Sequence, residues 1–287
     1  MHYQLVIRNI PCFLQKKIYQ RVTIVLKLSI FEQSINRTDM KSHIIITGGA
    51  QGIGKVTAIE LLKNNYSVSI FDRDKEALEE LKSEIGSKFC SFYHVDVSNE
   101  KEVLNAMSDT IKLFGSLYGL INNAAIDIRK PITELTLAEW QQVIDTNLTG
   151  AFLCSKHALS HLNKTKGCII NMASTRASQS EPDTEAYSAS KGGIFAFTHS
   201  LAMSAAPNVR VNCISPGWID VSGVKKASSA NQANLSQSDH KQHPVGRVGN
   251  AGDIARTVLF LLDEKNSFIT AQNFVIDGGM SRKMIYV

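Results

Sequence analysis

The stretch His43-Ile44-Ile45-Ile46-Thr47-Gly48-Gly49-Ala50-Gln51-Gly52-Ile53-Gly54 decides the fold. Ile44, Ile45 and Ile46 put apolar side chains on both faces of a strand, so helices must cover that strand from both sides. Four glycines follow within seven residues, and after them Ala58, Leu61 and Leu62 recur at helical spacing. In a strand-to-helix turn, glycines permit tight bending and let backbone N–H groups approach a pyrophosphate, whose charge the helix N-terminus stabilises. A tight turn alone would explain glycines here. Asp72 adds the second half of the pattern: it lies eighteen residues beyond Gly54 at the end of the next strand run, where a carboxylate can accept hydrogen bonds from ribose hydroxyls.

Working outward from that turn, short β-rich runs alternate with helical ones. His43 to Thr47, Ser67 to Phe71, Phe89 to Val95, Leu117 to Asn122, Gly167 to Met172, Val209 to Ile214 and Asn273 to Ile276 read as strands. Val103, Met107, Ile111 and Phe114 mark one of the intervening helices. Alternation of this kind predicts an α/β doubly wound Rossmann-type sandwich, with a seven-stranded parallel sheet, right-handed crossovers and helices on both faces. No repeat or composition break appears after Met40, so residues 40 to 287 are expected to form one catalytic domain. Ser222 to His243 is rich in Ser, Asn, Gln and Lys and reads as a mobile insertion beside the sheet's functional edge.

Residues 1 to 39 are read as an N-terminal extension. They carry Arg8, Lys16, Lys17, Arg21, Lys27 and Arg37 against Glu32 and Asp39, and so hold much of the net charge of +5. A transit peptide is one explanation of that basic, acid-poor run. The preferred one makes Met40 the natural start, because Lys41 leads directly into the first strand.

Composition narrows the function. The remainder of the chain is nearly neutral and shows no basic stripe with interleaved aromatics, which argues against a nucleic-acid partner. Val22 to Phe31, interrupted by Lys27, is far short of the roughly 20 apolar residues a membrane span needs. Five scattered cysteines, Cys12, Cys90, Cys154, Cys168 and Cys213, include no C-x-x-C pair and point to reduced thiols, a cytoplasmic location and no metal. His157 and His161 have the i, i+4 spacing of two zinc ligands, but no glutamate stands between them, so an ordinary helix face is the better reading.

The chemistry is expected from a second constellation. Tyr187-Ser188-Ala189-Ser190-Lys191 lies in a run that reads as a helix from about Asp183 to Ala206, which puts Tyr187 and Lys191 on one face. A free tyrosine ionises near pH ~10. A lysine charge about 4 Å away contributes about 4 kcal/mol at an effective dielectric of about 20, enough to bring the phenol near neutrality before the cost of burial is subtracted. Ser174, at the end of the fifth strand, falls on the carboxyl edge of the sheet, where its hydroxyl can polarise a substrate carbonyl. Each residue alone is a coincidence-prone match. Their order along the chain carries the inference.

With these motifs in place, residues 40 to 287 resemble the short-chain dehydrogenase/reductase family over their full length. The family's glycine turn matches Gly48, Gly52 and Gly54, with Ile53 between them. Its adenine-contacting acid matches Asp96, followed by Val97, and its Asn-Asn-Ala-Gly segment matches Asn122, Asn123, Ala124 and Ala125, where alanine replaces the last glycine. The family's catalytic asparagine, serine, tyrosine and lysine match Asn147, Ser174, Tyr187 and Lys191. Its proline-glycine segment matches Pro216 and Gly217, with the Ile219 backbone expected at the nicotinamide carboxamide and Val221 or Ser222 in place of a familiar threonine.

The resemblance implies an oxidoreductase that moves a hydride between a nicotinamide and a secondary alcohol or carbonyl substrate, with Tyr187 as general acid/base and Asn147 and Lys191 supporting a proton relay. It also implies a homo-oligomer, tetramer or dimer, with Asp277-Gly278-Gly279-Met280 in assembly and packing. Asp72 favours NAD over NADP, because a carboxylate repels the 2′-phosphate; Arg73 argues the other way, and Asp72 could also cap the helix that begins near Lys75. Two alternatives remain: an NADPH-dependent carbonyl reductase, and an NAD-sensing binding protein without turnover. The polar insertion hints at a sugar or polyol substrate.

Overall fold

A computed structural model describes residues 40–86 and 88–284; the expected N-terminal extension lies outside them. The elements in chain order are β1 (His43–Thr47), α1 (Gly52–Lys63), β2 (Ser67–Asp72), α2 (Lys75–Ile85), β3 (Cys90–His94), α3 (Glu100–Phe114) and β4 (Gly119–Asn122). There follow α4 (Leu137–Ile144), a π-helical segment (Asp145–Thr149), α5 (Gly150–Thr165), β5 (Cys168–Met172), α6 (Glu185–Ala205) and β6 (Arg210–Pro216). The chain closes with β7 (Ile219–Asp220), α7 (Gln237–Lys241), β8 (Gly249–Asn250), α8 (Ala251–Leu262) and β9 (Asn273–Ile276).

The main sheet is parallel, seven-stranded among the described residues, and ordered β3-β2-β1-β4-β5-β6-β9. Order reverses between β1 and β4. The chain winds away from β1 on one side and restarts at β4 on the other, which opens a crevice at the carboxyl ends of these two strands.

Successive residues of β1 enter different cores, as the triple isoleucine requires. Ile44 and Ile46 pack with Leu61 of α1, Leu81 of α2 and Val258 of α8, whereas Ile45 packs with Met107 of α3, Leu162 of α5 and Ala202 of α6. All three isoleucines are fully buried.

Three features were not read from the sequence. β7 and β8 form a small two-stranded sheet of their own. The helix after β4 runs from Leu137 to Thr165 with a π turn inside it, and Ile144, Asp145, Thr149 and Gly150 all stay in helical conformation across the junctions. The expected mobile insertion is partly ordered, with a 3-10 turn at Ser222–Val224 and α7 at its far end.

The first residue of β1 carries a stability consequence. His43 is 3% exposed, stacks on Phe114 with ring centroids 4.1 Å apart, and bonds through Nδ1 to Ser67 Oγ. Burial pushes its pKa down to about 3, so the ring is neutral in the fold. The unfolded chain binds a proton below about pH 6.5. Stability from this site is therefore complete above that pH and falls by up to about 1.4 kcal/mol per unit between there and pH 3. Denaturant unfolding of the His43→Leu variant should show a shallower loss between pH 6.5 and 4 than the wild type; equal slopes would contradict the assignment.

Candidate active site

The crevice at the sheet reversal is a groove of about 360 Å³ whose walls include Gly48, Gly52, Asp72, Asp96, Val97 and Asn123, with Ala124, Ala125 and Val221 beside them. Its floor is the glycine turn. Gly48 has φ +61°, and a Cβ there would stand 2.7 Å from Ala124 Cα. A Cβ on Gly54 would meet the carbonyl oxygen of Gly48 at 2.2 Å. The turn can therefore close this tightly only with hydrogen in place of a side chain. Gln51, the N-cap of α1, makes no side-chain cap, so the first N–H groups of that helix are left for a ligand. A dinucleotide's pyrophosphate fits that cradle.

Side chains fix the cradle from below. Asn123 Nδ2 donates to the carbonyls of Thr47 (3.0 Å) and Gly48 (2.8 Å). Thr47 Oγ1 accepts from the N–H groups of Asn123 and Ala124, each at 3.0 Å. Thr47 is a site residue that sequence reasoning missed, because a threonine ending a strand looks like ordinary β structure.

Asp72 ends β2 in the groove wall. Its Oδ2 accepts from Ala50 N–H at 2.9 Å and its Oδ1 from Asp74 N–H at 3.0 Å, so it also braces the glycine turn. Burial raises its carboxyl pKa, while these two backbone bonds pull it back down. It does not cap α2. That role belongs to Asp74, which accepts from Ala77 N–H. Asp96 accepts from Ser98 N–H and Ser98 Oγ, which fixes the turn after β3. Ile53, Gly54, Pro216, Gly217 and Ile219 are not in the groove wall. Gly217 packs on Asp277, where an added Cβ would stand 2.6 Å from that residue's Cβ, and Ile219 begins β7 beside a separate 510 Å³ cleft with Trp218 and Phe274.

The other predicted residues converge beyond the groove. Ser174 follows β5, close enough to the Tyr187 side chain to lower the pKa of its phenol. Lys191 lies one turn along α6 from Tyr187, its Nζ 5.4 Å from the tyrosine ring centroid and 2.7 Å from the Met172 carbonyl to which it donates. Asn147 sits in the π turn. Its Oδ1 accepts from Ile126 N–H at 2.8 Å, and its Nδ2 donates to the Ile126 carbonyl (2.9 Å) and to Ser190 Oγ (3.0 Å). One carboxamide thus ties the loop after β4 to α6. The π turn supplies the aim, since such bulges rotate single residues out of the regular α period.

The electrostatics differ from expectation. Lys191 is 3% exposed, and burial lowers its pKa to about 8. Burial of the phenol itself raises Tyr187, and Asp127 adds to that, against a lowering by Ser174, Arg176 and Arg129. Lys191 is not among the leading influences on Tyr187, whose own burial dominates, so the lowering expected from the lysine does not emerge in the protein alone.

The polar insertion is held down rather than loose. Lys226 Nζ lies 3.0 Å from Asp74 Oδ2 and 2.8 Å from Glu76 Oε2, and its N–H donates to Gln51 Oε1. These partners are far away in sequence, Gln51 by 175 residues, which is why local composition could not reveal the clasp. His157 pairs with Glu100, and among the described residues no group of three His, Cys, Asp or Glu is placed to hold a metal. No described helix is long and apolar enough to cross a membrane.

Comparison with known proteins agrees with this geometry. A family profile described as Enoyl-(Acyl carrier protein) reductase matches residues 48–281. An uncharacterized oxidoreductase of Thermotoga maritima is 48% identical over 248 residues, covering 84% of this chain and 96% of the relative. Among solved structures, an apo SCOR enzyme from Clostridium thermocellum superposes with a TM-score of 0.78 at 36% identity, over 86% of this chain and 96% of that one. ElxO with NADP bound superposes at 0.76 and 32% identity, over 85% and 100%. A glycine cradle at the sheet reversal, with serine, tyrosine and lysine beyond it and matches of this length, leads to one assignment: the chain belongs to the short-chain dehydrogenase/reductase family of NAD(P)-dependent oxidoreductases.

Proposed function

We propose that the protein is an NAD-dependent dehydrogenase that interconverts a secondary alcohol and its carbonyl, with Tyr187 as general acid/base. The observation that carries this reading is the convergence on one phenol of Lys191, whose Nζ lies 5.4 Å from the Tyr187 ring centroid, and Ser174, which acts on the same group from the end of β5. When bound, the nicotinamide supplies or accepts the hydride. The chain's own residues do the rest. Ser174 and Tyr187 hold the substrate oxygen, the Tyr187 hydroxyl gives or takes its proton, Lys191 presents positive charge under the phenol, and Asn147 fixes the backbone through which protons are relayed.

NAD is favoured by Asp72. It stands in the groove wall next to Gln51 and Gly52, and a second anion there would be repelled. Arg73 in the same wall, and the NADP bound by ElxO, support the second reading, an NADPH-dependent carbonyl reductase. Pro216, Gly217 and Ile219 fit the nicotinamide end of the site, Ile53 and Gly54 the pyrophosphate turn, and Asp96 and Val97 the adenine end. Buried free thiols at Cys90, Cys154, Cys168 and Cys213 suit a reducing cytoplasm. Exposed Phe260 and Val275, near the sheet edge at β9, suit a homo-oligomer.

A panel of alcohols, polyols, sugars and ketones, assayed with NAD(H) and NADP(H) in parallel by nicotinamide absorbance, tests the reading. Turnover with NAD(H) at least about tenfold more efficient than with NADP(H) is expected, a ratio worth about 1.4 kcal/mol. The reverse preference supports the reductase, and nucleotide binding without turnover of any compound supports a sensor.

A further inference from the structure

Beside Ser174 and Tyr187, two loops bring four charged side chains together. Asp127 and Arg129 follow β4, Arg176 lies two residues after Ser174, and Glu181 precedes α6. Arg129 Nε is 2.9 Å from Asp127 Oδ2, and its Nη1 is 3.2 Å from Glu181 Oε2. Arg176 Nη2 is 2.5 Å from that same Glu181 oxygen. The cluster is electrically coupled to the reacting phenol, since the charges of Asp127, Arg176 and Arg129 all act on Tyr187.

Arg176 is the unusual member. Its side chain is 15% exposed, and its Nη1 is buried with no hydrogen-bond partner among the described residues. A guanidinium presents a fork that a carboxylate fills with two oxygens. Glu181 engages both arginines through one oxygen only, so one prong of Arg176 is unmet, and an unmade hydrogen bond at a buried charged donor is costly. Glu181 itself is 61% exposed, so the acid that holds this buried cation is a surface side chain. The cluster contains two positive and two negative charges. Exchanging Glu181 for another carboxylate preserves that balance and lets Arg176 use both prongs. The place is also right for a substrate, because Arg176 stands two residues after Ser174, whose Oγ accepts from its backbone N–H at 3.2 Å, and the guanidinium charge acts on the Tyr187 phenol.

We propose that Arg176, with Arg129 beside it, is the recognition site for a substrate carboxylate, so that the enzyme acts on a short hydroxy acid or its oxo acid, and that Glu181 occupies this site in the free enzyme. The inference rests on the dehydrogenase reading for the identity of the reacting group, not for the anion site itself.

The test is calorimetric binding to the protein loaded with whichever reduced nucleotide it takes up. The ligands are oxo monocarboxylates of four to six carbons, each against its own amide, with dihydroxyacetone phosphate as the phosphate arm. At least one acid should bind about 100-fold more tightly than its amide, the scale of a charge-assisted, two-pronged contact. Arg176→Gln should erase that ratio, and Arg176→Lys, a point charge without the fork, should keep only part of it. Glu181→Gln, a change at an exposed residue, should tighten acid binding several-fold, whereas a purely structural ion pair would lower thermal stability without improving affinity. Equal affinity for acids and amides, an undiminished ratio in Arg176→Gln, or tighter binding of the phosphate than of every acid overturns the proposal. Turnover is read on the same samples: reduction of neutral ketones without any acid preference overturns the carboxylate site alone, and acid binding without turnover of any ketone overturns the dehydrogenase reading alone.

Discussion

Tyr187→Phe is expected to lower kcat by about 10³-fold while leaving nucleotide affinity within about twofold of wild type. The first number lies inside the range for a positioned proton donor. The second follows from geometry, since the groove proposed for the dinucleotide is lined by the glycine turn and by residues at the ends of β2, β3 and β4, with Tyr187 outside its walls. The change removes one oxygen and keeps the ring over Lys191, so a folding defect is not expected. Stopped-flow nucleotide binding beside steady-state rates checks both halves; activity within tenfold of wild type would take the proton-transfer role away from this residue.

Lys191 extends the prediction into pH. Its ammonium loses its proton near pH 8 because it is buried. Ketone reduction needs Tyr187 protonated and the charge beneath it in place, so kcat/KM for reduction should fall as pH rises through about 8. Lys191→Met should be slower throughout and lack that break. A break retained in the variant belongs to another group.

The second large effect is expected at Asp72. Asp72→Ser should shift the NAD:NADP ratio of kcat/KM by about 100-fold toward NADP, equivalent to about 2.7 kcal/mol, which a like-charge contact of a few ångströms supplies at intermediate dielectric. Arg73, already in the wall, would then have a phosphate to engage without an opposing carboxylate. Because burial raises the Asp72 carboxyl above the ordinary carboxylate range, it protonates earlier as pH falls, and the wild-type preference for NAD should weaken in acid before an exposed aspartate would titrate. Preference unmoved by the substitution would assign nucleotide choice to residues other than Asp72.

Much of this protein was legible in its sequence, and the legible part has a common physical origin. Strands buried on both faces announce themselves as runs such as Ile44-Ile45-Ile46, and each of the seven expected strands has a counterpart within a few residues of its place. Glycines at a strand-to-helix turn announce themselves by spacing. The less legible features depend on partners distant in the chain. Thr47 has its role because Asn123 and Ala124 come to it from the end of β4, and Lys226 is held by Asp74 and Glu76 at the start of α2 and by Gln51 before α1. The sign of the shift at Tyr187 was equally hidden, since it is a sum over burial and four neighbouring groups from separate segments.

The π turn at Asp145–Thr149 has a different kind of consequence. In an α-helix each residue advances the direction of its side chain by about 100°. The turn behaves as a helix lengthened by one residue at a single point, and Asn147 owes its aim at Ile126 and Ser190 to that added length as much as to its own carboxamide. Deleting Leu148 would let Leu137 through Thr165 relax toward regular α geometry, and the relaxed helix should be the more stable one in isolation. It would also turn α5 out of register with α4 and break the tie to α6. At this position the aim of a side chain is encoded by a count, so if Asn147 serves the proposed relay, a one-residue deletion here should cost more activity than most replacements of the residues around it.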